Sequence, residues 1–510
     1  MHGTRINRRT FLATSAGWLA ACGTGVRANP ENRKTISLIH TTDLHGHIAP
    51  TRTYSGTENV GGFARCATMI RRWRREHPDS LLLDIGDVWQ GTPESHADGG
   101  AIMMRLFNRL GYDAWAPGNH DFDWGPAATR SNLALSKSQV LAANLRIAGK
   151  PTGSATGEWA AVKPWTLREV GGFRIALIGL ITPGLPYWLA PETLGGVEAT
   201  PPAEVLKRCI TEARAAGADA IAVMAHMGWR NEDDFANPIR QMLREAPGAD
   251  VLLAGHTHQD RPSWKTGPTL CTQASYHGIH CGRLDLTFDA HSRKLIACEA
   301  VTALMDPSIE ADPAVMEEAD PALRASAEQL ARKLGTVTRT IPSAARDNQL
   351  ATLFCELFAA ALAKNKTPVD GVFHGTFGTG DLQPGDLTVG DCWKLLPYEN
   401  LLLTARLGTA DLIDIIRDER RVRNSDRILW PFDLKTNRAG DVTRFTRKGE
   451  EVKPDATFTI AFNSYDAQSG GQSMMRLRDM LQRPSAQRHL TAIDTRSALI
   501  DGVLERRSIP

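Results

Sequence analysis

Val251-Leu252-Leu253-Ala254-Gly255-His256-Thr257-His258 places a short apolar run directly before a glycine and two histidines. The arrangement recurs upstream: residues 35–40 run into Asp43-Leu44-His45, Leu81-Leu82-Leu83 into Gly86-Asp87, and residues 220–224 into His226, while Gly118-Asn119-His120-Asp121 is another polar loop. Short apolar runs bounded by turn residues read as buried strands. Such strands deliver their following loops to one edge of a sheet, where α/β proteins place their chemistry. Residues 173–181 form a further strong strand, and residues 61–76 and 202–217 have helical spacing, with Gly217 as a C-terminal stop. Residues 34–300 therefore read as α/β.

At 510 residues the chain exceeds one ordinary core, and 42% hydrophobic with 23% charged residues is the composition of a globular protein of two domains. A net charge of +2 gives no field that would favour a nucleic acid polymer, and Arg71-Arg72-Trp73-Arg74-Arg75 reads as a solvated helix face. Residues 1–30 read as a targeting segment: Asn7-Arg8-Arg9-Thr10-Phe11-Leu12 resembles a bacterial twin-arginine export signal, and Leu19-Ala20-Ala21-Cys22 is similar to a lipoprotein cleavage box. That resemblance implies the twin-arginine machinery as a partner and a periplasmic or membrane-anchored location, with lipid on Cys22 as the means of attachment. Seven of the eight cysteines lie beyond this segment and none forms a C-x-x-C pattern, so no zinc knuckle or redox motif is indicated. They read mostly as small buried hydrophobes.

Residues 34–308 thus form the first domain. Ala, Glu, Leu and Arg at helical intervals predict a linking helix within 309–335, and residues 336–482, with a helix over 350–364 and Gly-rich turns, a smaller α+β domain. Residues 483–510 read as a polar tail with a short helix.

The polar loops gather seven candidate metal ligands: Asp43, His45, Asp87, Asn119, His226, His256 and His258. Two divalent ions roughly 3.5–4 Å apart polarise a phosphoryl oxygen and acidify a bound water, and they need a shared carboxylate. Asp87 is the natural bridge. Asp43 and His45, two apart in an extended strand end, project to the same side and serve one ion with His258; Asn119, His226 and His256 serve the other. Such ligands suit Zn, Mn, Fe or Co.

These residues resemble those of the calcineurin-like metallophosphoesterases. Ala116-Pro117-Gly118-Asn119-His120-Asp121-Phe122-Asp123-Trp124-Gly125 and Ala143-Asn144-Leu145 are similar to the bacterial 5′-nucleotidase branch, and the similarity spans nearly the whole mature chain. The resemblance implies a four-layer α/β/β/α sandwich, a linking helix and a C-terminal substrate domain. It also implies two divalent metal ions, a metal-bound hydroxide as attacking species, and a small-molecule phosphate ester of nucleotide type as substrate. Asp43, His45, Asp87 and His258 would hold one ion, and Asp87, Asn119, His226 and His256 the other. His120 would act on the substrate, paired with Asp123, stabilising charge or helping the leaving alkoxide.

In the second domain, Tyr398 and Tyr465 fall where the family sandwiches a base, and Asn400 where it reaches the base edge. Two departures stand out. Gly375-Thr376-Phe377-Gly378-Thr379 puts Thr379 where nucleotidases carry a phosphate-binding arginine, and Gln472 replaces the usual Asp after Gly470-Gly471. Arg346 is a candidate replacement for the lost charge. The alternatives are a thiosulfohydrolase acting on a carrier-bound cysteine S-thiosulfonate, which also resembles this family, and a non-catalytic surface binding lipoprotein.

Overall fold

The computed structural model describes residues 32–154, 156–344, 347–422 and 425–510. The export-type segment with Cys22, and Arg346, lie outside the described residues.

Two sheets form the centre of the first domain. The seven-stranded sheet runs in the order Leu295–Leu304, His280–Asp289, Arg33–Thr41, Ser80–Asp84, Ala114–Trp115, Gln139–Leu141, Val162–Lys163. The six-stranded sheet runs Trp165–Val170, Phe173–Ile181, Ala220–His226, Val251–Ala254, Thr269–Ala274, Asp260–Thr266. Side chains alternate between the two faces of each strand, so both faces must be covered. Ile36, Leu38, Leu81 and Leu83 meet Ile175, Leu177, Ala222 and Leu253 between the sheets. On the opposite face, Ile39 and Leu82 pack with helices Phe63–Glu76 and Ala101–Leu110. Ala176, Ile178 and Leu180 pack with helices Pro202–Ala215 and Ile239–Glu245. The layers are therefore α/β/β/α, and the apolar runs that prefix the polar loops are continuous because each strand is buried on both sides.

The arginine cluster at 71–75 is spent on neighbours: Arg71 pairs with Asp312 at 2.7 Å, Arg72 with Glu76 at 2.8 Å, and Trp73 is buried. Asp312 also caps the helix Pro313–Ala331, accepting from the Ala314 and Val315 amides at 3.1 Å. Val315 and Ala319 anchor that helix on the first domain. The seven cysteines of the described residues are free thiols, and six of them are buried.

The second domain is built on a five-stranded sheet in the order Ile428–Trp430, Gly371–His374, Thr457–Asn463, Leu401–Gly408, His489–Asp494. Residues 483–510 are not a tail. His489–Asp494 is an edge strand of this sheet, helix Thr495–Arg506 buries Ala498, Leu499 and Val503 against the core of helix Gln349–Lys364, and Ser508–Ile509 pairs with Lys333–Val337. The segment looks polar because an edge strand and a surface helix each turn only a narrow stripe inward. Leu499→Ala is expected to destabilise the second domain by roughly 2–4 kcal/mol, the cost of a cavity at a side chain only 1% exposed, read as a lower denaturant midpoint. No change in midpoint would mean that this helix does not belong to the core.

Candidate metal centre

The loops that end the strands are zipped to one another by main-chain bonds. Asp43 N–H donates to Gly86 O at 2.8 Å, His45 N–H to Asp87 O at 2.9 Å, and Gly255 N–H to Met227 O at 3.1 Å. His226 ends its strand, and the others follow theirs by two or more residues. The extended geometry expected at Asp43 and His45 is not what is found. Asp43, His45, Asp87, His256 and His258 have φ between 50° and 70°, the left-handed region that non-glycine residues avoid. Strand ends turn sharply there, which brings side chains together from different strands, and such backbone strain concentrates at functional sites. The glycines beside them are obligatory for packing: a Cβ on Gly118 would collide with Asp87 Oδ1 and His226, and one on Gly255 would sit 2.5 Å from Thr42 Oγ1.

Potential ligand atoms fall in two groups that share Asp87: Asp43, His45, Asp87 and His258, and Asp87, His226 and His256. Within them His45 Nε2 faces His258 Nε2 at 3.1 Å, His258 Nε2 lies 3.3 Å from Asp43 Oδ1, and His226 Nε2 lies 3.1 Å from Asp87 Oδ2. Asp87 Oδ2, His226 Nε2 and Asn119 Oδ1 are buried without a hydrogen-bond partner. Buried polar atoms are seldom left so, and one cation beside Asp87 Oδ2 and His226 Nε2, which lie 3.1 Å apart, would satisfy both.

Tautomers are set from outside the cluster. Carbonyls only accept, so His45 donates from Nδ1 to Gln90 O at 2.9 Å and His226 from Nδ1 to Ile85 O at 2.6 Å, leaving each Nε2 lone pair for the cluster. Burial pushes the pKa of His45 and of His256 down to about 3, so both are neutral imidazoles, the form that ligates. At His226 burial acts downward too, but the Asp87 carboxylate outweighs it and raises the value to about 9. Both groups, with Asn119 beside them, suit a hard or borderline divalent ion.

His120 stands apart from these groups. Its Nδ1 pairs with Asp123 Oδ2 at 2.6 Å, and its backbone N–H donates to Asp87 Oδ1 at 2.7 Å. Burial works against the imidazolium, but the carboxylates of Asp123 and Asp87 outweigh it and hold the ring protonated well above its ordinary range. Asp123 is committed to His120; the following helix, Gly125–Leu135, has no side-chain cap.

A cavity of about 340 Å³ opens beside the cluster, bounded by Asn119, His120, Asp123 and His256 of the first domain and by Tyr398, Asn400 and Tyr465 of the second. All three sequence-predicted contacts of the second domain thus meet the cluster across one cavity. The Tyr398 ring lies parallel to that of His120, with centroids 5.8 Å apart. Thr379 is not in the lining; its hydroxyl closes a local turn on Thr376 O at 2.9 Å.

Several residues escaped the sequence reading. Trp188, Phe377 and Arg230 also line the cavity, and the Trp188 ring lies 5.1 Å from that of His256. Asp121 accepts from the amides of Gly118, Asp87 and Val88 at 2.8–3.0 Å and so ties two ligand loops together. Glu399 joins the domains. It pairs with buried Arg496 at 2.7 Å and accepts from Gln90 Nε2 at 3.0 Å and Trp124 Nε1 at 3.2 Å. Only the local offset of Asp121 within its loop was a usable signal. The partners of Glu399 lie far along the chain.

Residues 36–260 match the family model of the calcineurin-like phosphoesterases, and residues 333–479 that of the 5′-nucleotidase C-terminal domain. The first domain is thus a calcineurin-like phosphoesterase domain and the second a 5′-nucleotidase C-terminal domain, the pairing of a metal-dependent phosphoester hydrolase. Snake venom 5′-nucleotidase of Naja atra is 29% identical over 56% of this chain and 56% of its own length. Silent protein UshA(0) of Salmonella typhimurium is 25% identical over 87% of this chain and 86% of its own. Among solved structures, a 5′-nucleotidase precursor from Thermus thermophilus superposes with a TM-score of 0.69 at 23% identity, covering 94% of this chain and 97% of that one. The sulfate thiohydrolase SoxB of the same species gives 0.59 at 16% identity over 93% and 94%. These two likenesses are of fold. Among the described residues no helix is long and apolar enough to cross a membrane.

Proposed function

We propose that this chain is an exported phosphoesterase that binds two divalent ions and hydrolyses the phosphate ester of a nucleotide or nucleotide-like molecule. The observation that carries the reading is the meeting of three partnerless buried ligand atoms, Asp87 Oδ2, Asn119 Oδ1 and His226 Nε2, with a cavity walled by aromatic side chains of the other domain. Asp43, His45, Asp87 and His258 would hold one ion, and Asp87, Asn119, His226 and His256 the other. The chemistry such ions would supply there is polarisation of the phosphoryl group and acidification of the attacking water. The chain's own residues do the rest. His120, with Nδ1 fixed by Asp123, keeps Nε2 for the phosphate or the leaving oxygen. Tyr398 and Tyr465 flank the organic part, and Asn400 reads its polar edge. Residues 34–308 supply the metal-bearing domain and the block from 336 the substrate domain.

The aromatic wall favours a planar ring system over the cysteine S-thiosulfonate of a carrier. A hydrolysis screen tests this: metal-reconstituted protein is offered mononucleotides, nucleoside diphosphates, nucleotide sugars, cyclic nucleotides, an aryl phosphate and a cysteine S-thiosulfonate peptide. Phosphate release from a nucleotide is expected, and sulfate release from the peptide alone would overturn the reading. Tyr465→Ala is expected to raise KM for the preferred nucleotide by about tenfold or more, the scale of one lost stacking contact, while sparing the aryl phosphate. Equal effects on both substrates would remove base stacking from the account.

A further inference from the structure

The histidines of the cluster are not held alike. His45 and His226 lean on main-chain carbonyls, and their side chains are 6% and 0% exposed. His258 is 25% exposed, and its Nδ1 meets a side chain instead, the Tyr54 hydroxyl at 2.9 Å. Tyr54 stands in the connection between the short strands Thr51–Arg52 and Glu58–Val60 and is itself 67% exposed. Its ring lies on that of Tyr276, with centroids 4.2 Å apart and planes within 9°, and its backbone N–H donates to the Tyr276 hydroxyl at 2.9 Å. Tyr276 in turn stacks on His258 at 5.3 Å. The position of the Tyr54 ring is therefore set by stacking and by its backbone, independently of its hydroxyl.

We propose that Tyr54 is the positioning residue for His258, and that the group Asp43, His45, Asp87 and His258 consequently holds its ion less tightly than the group Asp87, Asn119, His226 and His256. The inference rests on reading these residues as the ligands of two ions. With Nε2 of His258 aimed at the cluster, 3.3 Å from Asp43 Oδ1, the ring proton belongs on Nδ1 and is donated to the phenolic oxygen. A partner of this kind fixes tautomer and ring orientation, and losing one typically lowers metal affinity about 10–100-fold. Its strength depends on where it sits. The carbonyls of Gln90 and Ile85 belong to packed backbone, whereas the phenol comes from an exposed hairpin where water competes for the same hydrogen bond and local opening is easiest. Of the partners described for these imidazoles, Tyr54 is the one a single side-chain change removes.

Calorimetric titration of Mn²⁺ into metal-free wild type, Tyr54→Phe and His258→Ala tests the inference. Phenylalanine keeps the ring on Tyr276, so the fold and the stack are preserved. Wild type is expected to bind two ions with unequal affinity, and Y54F to weaken the weaker site about tenfold or more while leaving the tighter one within about twofold. The site weakened in Y54F should be the one that H258A deletes. Affinities in Y54F unchanged, or lowered equally at both sites, overturn the inference, as does weakening of the site that survives in H258A. Fewer than two ions in wild type overturn the two-ion reading itself, and this inference with it.

Discussion

Replacing Asp87 by alanine is expected to lower kcat/KM by roughly 10³-fold or more and to cut the number of bound ions. Asp87 is the one residue in both ligand groups, and its Oδ1 also holds the backbone of His120. Its loss therefore strikes both groups of potential ligands and the loop that carries His120. Ions polarising a phosphoryl oxygen supply several kcal/mol of transition-state stabilisation, and each 1.36 kcal/mol is a factor of about ten. Steady-state kinetics beside metal analysis of the purified variant would check it. Near-native turnover in Asp87→Ala would mean that the chemistry lies elsewhere.

His120→Ala is expected to behave differently: kcat falls about 10²–10³-fold, KM changes little, and the bound metal is unchanged. The reason is its placement. The ring lines the cavity but takes no part in either ligand group, and its partner is Asp123 at 2.6 Å. Asp123→Asn should reproduce part of the loss. The double variant should fall little further than His120→Ala alone, because residues acting as one unit are not additive. Loss of metal from His120→Ala would instead make it a ligand.

Much of this cluster was legible because its potential ligands follow strands buried on both faces. Leu81-Leu82-Leu83 and Val251-Leu252-Leu253-Ala254 announce themselves as unbroken apolar runs, and the loop after such a run lies at the edge of the sheet. The exact turn of the backbone did not show. Left-handed φ at Asp43, His45, Asp87, His256 and His258 is uncommon for any non-glycine residue; Asp and His tolerate it better than most, but that tolerance does not single out these positions, and the bonds between loops impose it. Glu399 was missed for a related reason. It reads as one acidic residue between Tyr398 and Asn400, yet Gln90 and Trp124 are 309 and 275 residues away. Tyr54 likewise reaches His258 across 204 residues, from a segment that looks like an ordinary surface turn. The segment 489–509 fails on composition: one edge strand and a helix anchored by Ala498, Leu499 and Val503 bury too narrow a stripe to stand out from polar surface.

The central claim is that these seven residues make a two-ion phosphoesterase. Its most direct test is phosphate release from a nucleoside 5′-monophosphate by metal-free protein reconstituted with increasing equivalents of Mn²⁺. Activity is expected to rise with metal and to reach its plateau once both positions are filled, at two ions bound per chain. A protein that binds two ions and releases no phosphate, or one that releases phosphate equally well without metal, would contradict it.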